Sequence, residues 1–101
     1  RKIAIIGDMY ELGQETENAH KEVGEFAGRK KPDLLVCIGE FAKGYAEGAA
    51  EHMKAEHILY FAEKEDFFEQ AEGLLAPGDV VLVKASRGMQ MEKIVNKILE
   101  E

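Results

Sequence analysis

Apolar residues fall along this chain in two alternating textures. Short, nearly unbroken runs occupy residues 3–6, 34–38, 57–61 and 80–83, each with the length and composition of a strand. Between and after them, apolar residues recur at steps of three and four. The last segment is the plainest, with Met91, Ile94, Val95, Ile98 and Leu99 on one face and charges on the other, as in an amphipathic helix. Phe67, Phe68, Ala71, Leu74 and Leu75 repeat that pattern and stop at Ala76-Pro77-Gly78-Asp79, a turn that cannot continue a helix. Two fainter helices are predicted, over 16–29 from Ala19, Val23, Phe26 and Ala27, and over 41–53 from Ala42, Tyr45, Ala46, Ala49 and Met53.

Strand and helix alternating four times force parallel pairing through right-handed crossovers. Strands written as continuous apolar runs are those covered on both faces. The expected fold is therefore α/β: a Rossmann-like open, mainly parallel sheet with helices on both faces and about four βα units. Gly24/Gly28 and Gly44/Gly48 lie four apart within the two fainter helices, and the expected use is close packing of helix backbone on the sheet. With no linker or repeat inside it, the chain reads as a single domain over residues 1–101.

Charge and composition narrow the function. With 13 Lys+Arg against 20 Asp+Glu the net charge is −7, which argues against sequence-independent binding to nucleic acid or anionic lipid. The longest apolar runs are about five residues, far short of the roughly 20 that span a bilayer. Cys37, the one cysteine, sits inside an apolar run, where a thiol behaves as a small buried hydrophobe, and a lone thiol suits a reducing compartment. The chain opens Arg1-Lys2 directly before a strand, without an initiator Met, so a piece of a longer protein is expected.

In an open parallel sheet, ligands bind beyond the carboxyl ends of the strands. The loop after the first strand reads Gly7-Asp8-Met9-Tyr10-Glu11-Leu12-Gly13. Asp8 there is placed to accept from an amine or a ribose hydroxyl, or else to close an Asx turn or cap a helix. The loop lacks the three glycines of a dinucleotide fingerprint, and neither Gly39 to Gly44 nor Gly73 to Gly78 continues as a P-loop. The loop after the last strand, Lys84-Ala85-Ser86-Arg87-Gly88, joins two cations and a hydroxyl to the amides of a predicted helix start, and is the best anion site in the chain. His20, His52 and His57 lack the spacing of a metal site. His20 reads as a packed residue supporting the first loop.

The strings IAIIGDMYELG at 3–13, His20 with Val23-Gly24, Ile38-Gly39, VLVKASR at 81–87 and Met91-Glu92 closely resemble the C-terminal domain of the Mur ligases. Within that family they are most similar to the subtype that adds D-alanyl-D-alanine to UDP-N-acetylmuramoyl-tripeptide. The resemblance covers nearly the whole chain; a departure is Ala85, where the family usually has glycine. It implies a three-domain, cytoplasmic bacterial ligase of peptidoglycan synthesis, in which an N-terminal domain holds the UDP-sugar. A central domain would carry the P-loop, Mg²⁺ and ATP, and the C-terminal domain would close over both. It also implies that an earlier strand of this domain precedes Arg1, and that the chain alone is inactive. Carried over by position, Asp8, Met9, Glu11, Leu12 and Gly13 would shape the substrate loop, Lys84, Ser86 and Arg87 would face anionic substrate parts, and His20 would support them from behind.

A non-enzymatic doubly wound module, receiver-like or nucleotide-binding, is the alternative of another class. Lys84 after the last strand suits it, but Gly39-Glu40 stands where a phosphoacceptor aspartate should be, and Ala62-Glu63 where a hydroxyl should be.

Overall fold

The computed structural model describes residues 1–8 and 16–84. Its elements run β1 (Lys2–Gly7), α1 (Thr16–Arg29), β2 (Leu34–Ile38), α2 (Lys43–Ala49), a 3₁₀ turn (Ala55–His57), β3 (Ile58–Phe61), α3 (Lys64–Leu74) and β4 (Val80–Lys84). The expected amphipathic helix at 91–99 lies outside the described residues.

All pairings are parallel, in the order β3-β2-β1-β4. The crossovers β1→β2 and β2→β3 step in one direction and β3→β4 steps back past both, so right-handedness puts α1 and α2 on one face and α3 on the other. Two cores follow. Ile3, Ile5, Val36, Ile38 and Phe61 pack under Phe67 and Ala71 of α3, whereas Leu35 and Cys37 pack under Ala42, Tyr45 and Ala49. Alternate residues of β2 serve opposite cores, and all five are buried, which is why its sequence reads as an unbroken apolar run.

Three expectations need correction. First, among the described residues β4 is covered on one face only. It is an edge strand of alternating exposure, with Val81 and Val83 packed towards α3 while Val80 and Leu82 are 67% and 64% exposed. Second, the second helix is shorter than 41–53. Phe41 and Ala42 form a turn leading into it, with Gly44 N–H donating to the Phe41 carbonyl, and the chain leaves the helix after Ala49 through turns that return Met53 to the core.

Third, Gly24, Gly28 and Gly48 serve a helix–helix contact and not a helix–sheet one. A Cβ at Gly24 would lie 2.2 Å from the Tyr45 carbonyl oxygen, and one at Gly48 would lie 2.2 Å from the Lys21 carbonyl oxygen. The backbones of α1 and α2 therefore touch, which only residues without a side chain permit.

Candidate functional site

The strand order creates a switch point. β1 and β4 are neighbours, with Ile6 opposite Lys84, yet the chain leaves β1 towards β2 and reaches β4 from the far side of the sheet. The carboxyl ends of two such strands bracket the crevice where α/β sheets bind ligands. The two strands end side by side there, and each leads into one of the two stretches of sequence richest in candidate groups. Lys84 is exposed at that edge. Met9, Glu11, Leu12, Gly13, Ser86 and Arg87 lie outside the described residues.

Asp8 does not project into solvent. It is 2% exposed, and its two carboxylate oxygens accept from the backbone N–H groups of Glu40 and Phe41, each at 2.8 Å. The contact spans more than 30 residues and ties the end of β1 to the turn between β2 and α2. The carboxylate thus holds two amides of a turn far away in sequence, an arrangement that is neither a local Asx turn nor the N-cap of α2. Burial raises the Asp8 pKa above the ordinary carboxylate value, while the two amide bonds and the nearby His20 pull the other way.

Gly39 makes the approach possible. Its φ is +133°, and a Cβ there would lie 2.4 Å from the Asp8 carboxyl carbon. Two tyrosines complete the brace: Tyr45 Oη donates to the Gly7 carbonyl at 2.8 Å, and Tyr60 Oη to the Gly39 carbonyl at 3.2 Å. Burial drives the Tyr45 pKa upward, so the hydroxyl keeps its proton and remains a donor. His20 is fully buried, its ring 4.8 Å from that of Tyr45 and 5.7 Å from that of Phe41; the loop it was expected to support lies outside the described residues. Cys37 is fully buried with its pKa pushed up to about 12, a packing residue and not a nucleophile.

Gly39, Tyr45 and Tyr60 were not singled out from sequence. The only signal was a glycine directly after an apolar run, and nothing local names its partner. Among the described residues, no three His, Cys, Asp or Glu side chains gather to hold a metal ion, and no helix is long and apolar enough to cross a membrane.

Residues 1–87 match the family described as Mur ligase, glutamate ligase domain. This chain is a member of the Mur ligase family. It is 36% identical over 100 residues to the UDP-N-acetylmuramoyl-tripeptide–D-alanyl-D-alanine ligase of Bacillus subtilis, covering 99% of this chain and 22% of that protein. The ligase of the same name from Escherichia coli is 34% identical over 103 residues, covering 98% and 21%. The chain thus spans about a fifth of the length of these Mur ligases. Among solved structures, MurF from Acinetobacter baumannii superposes with a TM-score of 0.81 at 24% identity, covering 99% of this chain and 22% of that one. The MurF ligase of Thermotoga maritima in complex with ADP gives 0.66 at 28%, covering 96% and 21%. The open parallel sheet is that of the Mur ligase C-terminal domain.

Proposed function

We propose that this chain, as one domain over residues 1–101, is the C-terminal substrate-binding and closure domain of a bacterial, cytoplasmic ligase. That ligase joins D-alanyl-D-alanine to UDP-N-acetylmuramoyl-tripeptide in peptidoglycan synthesis. The reading is supported by the names of the relatives and carried by one observation, the adjacency of the β1 and β4 carboxyl ends at a switch point. In the reaction, ATP phosphorylates the tripeptide's terminal carboxyl; the dipeptide amine then attacks the acyl phosphate, forming the amide and releasing ADP and phosphate. ATP and Mg²⁺ belong to a central domain, whose P-loop this sequence lacks, and an N-terminal domain holds the UDP-sugar.

Within this division of labour, Lys84, Ser86 and Arg87 face anionic substrate parts, while Met9, Glu11, Leu12 and Gly13 shape the neighbouring loop. Asp8 and His20 act one step back. With both oxygens committed to the Glu40 and Phe41 amides, Asp8 fixes the position of the loops and does not take a ligand proton itself.

Arg87 gives the sharpest test, made in the full-length enzyme. A charge-assisted hydrogen bond is worth about 1.5 to 3 kcal/mol, so Arg87→Ala should lower kcat/KM roughly 10- to 150-fold. Arg87→Lys should recover only part of the loss, since a point charge cannot reproduce a bidentate fork. Unchanged kinetics with both substrates would remove Arg87 from the site, and ATP turnover by the 101-residue chain alone would contradict the division of labour.

A further inference from the structure

At the amino edge of the sheet, opposite the switch point, a cavity of about 360 Å³ opens between the turn that enters β2 and the turns that lead from α2 to β3. Lys31 and Asp33 line it on one side, and His52, Lys54 and His57 on the other. We propose that this cavity binds the phosphoryl group of a small molecule between the Lys31 and Lys54 ammonium groups. The site lies at the other end of the strands from the substrate loops and does not depend on the ligase reading.

The charges carry the argument. In a chain of net charge −7, residues 29–31 are consecutive cations, and the third of them meets Lys54 and two histidines across this cavity. Among the described residues neither Lys31 nor Lys54 joins an ion pair. The carboxylate in the lining is already engaged, since Asp33 Oδ2 accepts from Lys2 N–H at 2.7 Å. Cations at this edge ordinarily answer the carbonyl ends of helices. Here those carbonyls have other partners: Phe26, Ala27 and Gly28 accept from the N–H groups of Lys30 and Lys31, and Ala46, Gly48 and Ala49 accept from those of residues 50–53. Two ammonium groups are thus left for an anion.

The frame is fixed, as a binding site requires. His57 N–H donates to the Lys54 carbonyl at 3.0 Å, and Asp33 N–H to the Lys2 carbonyl at 2.8 Å. His57 Nδ1 lies 3.1 Å from the Asp33 carbonyl; a carbonyl only accepts, so Nδ1 carries the proton and ties the two sides of the cavity together. Lys31 itself has φ +49°, and among the described residues no other non-glycine has a positive φ. That conformation at a helix end suits glycine, and a side chain kept there at a cost is a mark of functional sites. A phosphoryl group offers several oxygens in different directions, which matches cations mounted on separate turns better than the planar pair of a carboxylate. The volume falls within the range of small-ligand sites, and half-buried Pro32 and Met53 offer an apolar surface to the organic part of an ester.

Free phosphate and a phosphate ester share this chemistry, and calorimetric titration of the full-length protein separates them, with ADP present to fill the nucleotide site. Glycerol phosphate should bind about 5- to 20-fold more weakly to Lys31→Gln/Lys54→Gln than to the wild type. Arg29→Gln/Lys30→Gln removes the same charge from residues outside the cavity and should change the affinity less than about twofold. Lys31→Gly should raise the melting temperature and still weaken binding, because it relieves the backbone while removing the cation. Tighter binding of glycerol phosphate than of inorganic phosphate assigns the ester, and equal binding assigns the free ion. Acetate binding as tightly as either overturns the choice of phosphate. Equal affinities in the wild type and Lys31→Gln/Lys54→Gln, or an equal loss in Arg29→Gln/Lys30→Gln, overturn the site and leave the ligase reading intact.

Discussion

The two faces of the sheet are built on different principles. Under α3 the contacts are between large side chains, with Phe61 and Phe67 edge-on at 5.8 Å and Ile3, Ile5, Val36 and Ile38 around them. Under α1 and α2 the residues are smaller, and two further devices appear: backbone-to-backbone contact at Gly24 and Gly48, and a buried polar brace through Asp8, Tyr45 and Gly39. Side-chain packing tolerates exchange of shape at modest cost, whereas a backbone contact or a committed carboxylate has one solution.

Adding a single methyl group should therefore do the most damage on the α1/α2 face. At Gly48 a Cβ would sit 2.2 Å from the Lys21 carbonyl oxygen and 2.8 Å from Glu25 N, so Gly48→Ala must push the helices apart. We expect a loss of about 3 kcal/mol in chemical denaturation, despite the gain in helix propensity. Gly73 in α3 meets nothing within 4 Å, and Gly73→Ala should stabilise by about 0.5 to 1 kcal/mol. Equal effects of the two substitutions would erase the distinction between the faces.

Asp8→Ala should cost somewhat less, about 2 to 3 kcal/mol, because it leaves the Glu40 and Phe41 amides without their acceptor in a part-buried site. It should also lower kcat/KM in the full-length enzyme, since the turn it releases adjoins the carboxyl end of β1 at the switch point. A carboxylate that served only a ligand would leave the melting temperature unchanged. On the opposite face, Phe67→Leu removes an aromatic ring yet should cost only about 1 to 1.5 kcal/mol as neighbours repack, read from the same denaturation curves.

Periodicity made most of the fold legible. Every apolar run became a strand, and the helix expected over 16–29 is Thr16–Arg29 as drawn. What escaped was information held in pairs of distant residues. Gly24 reads as a glycine in a helix, but its meaning lies in Tyr45; Asp8 reads as a loop aspartate, but its partners are Glu40 and Phe41. The exposure of Val80 and Leu82 is a property of β4's place at the sheet edge, which no local pattern states. The site was legible as loops, through the carboxyl-end rule, and not as geometry.

The smallest expected effect concerns how the two faces respond to acid. At the amino end of the β1–β4 pair, Arg1 Nη2 lies 2.9 Å from Asp79 Oδ2 and Nε lies 3.2 Å from Oδ1, while Ala76 N–H donates to the same carboxylate. The Arg1 guanidinium, with that amide, holds the Asp79 pKa down to about 2. A lowered acid stabilises the fold above its ordinary value, near 4, and loses that contribution as pH falls through about 2. Asp8 is shifted upward by burial, so its contribution has the opposite sign: present at low pH, and lost as pH rises through its folded value. Between about pH 4 and 2 the surface pair weakens the protein, whereas the Asp8 contribution is already complete below about pH 4 and changes only above it, up to the raised folded value. Asp79→Asn should therefore flatten the melting temperature across that window, and Asp8→Asn should leave it unchanged there while removing the decline that Asp8 causes as pH rises above about 4. Because the Arg1 side chain is 49% exposed, 1 M salt should mimic Asp79→Asn by screening the pair and leave the Asp8 contribution in place. A profile that Asp79→Asn leaves unchanged would show that water already screens this pair completely, and that the α3 side of the sheet is held by packing alone.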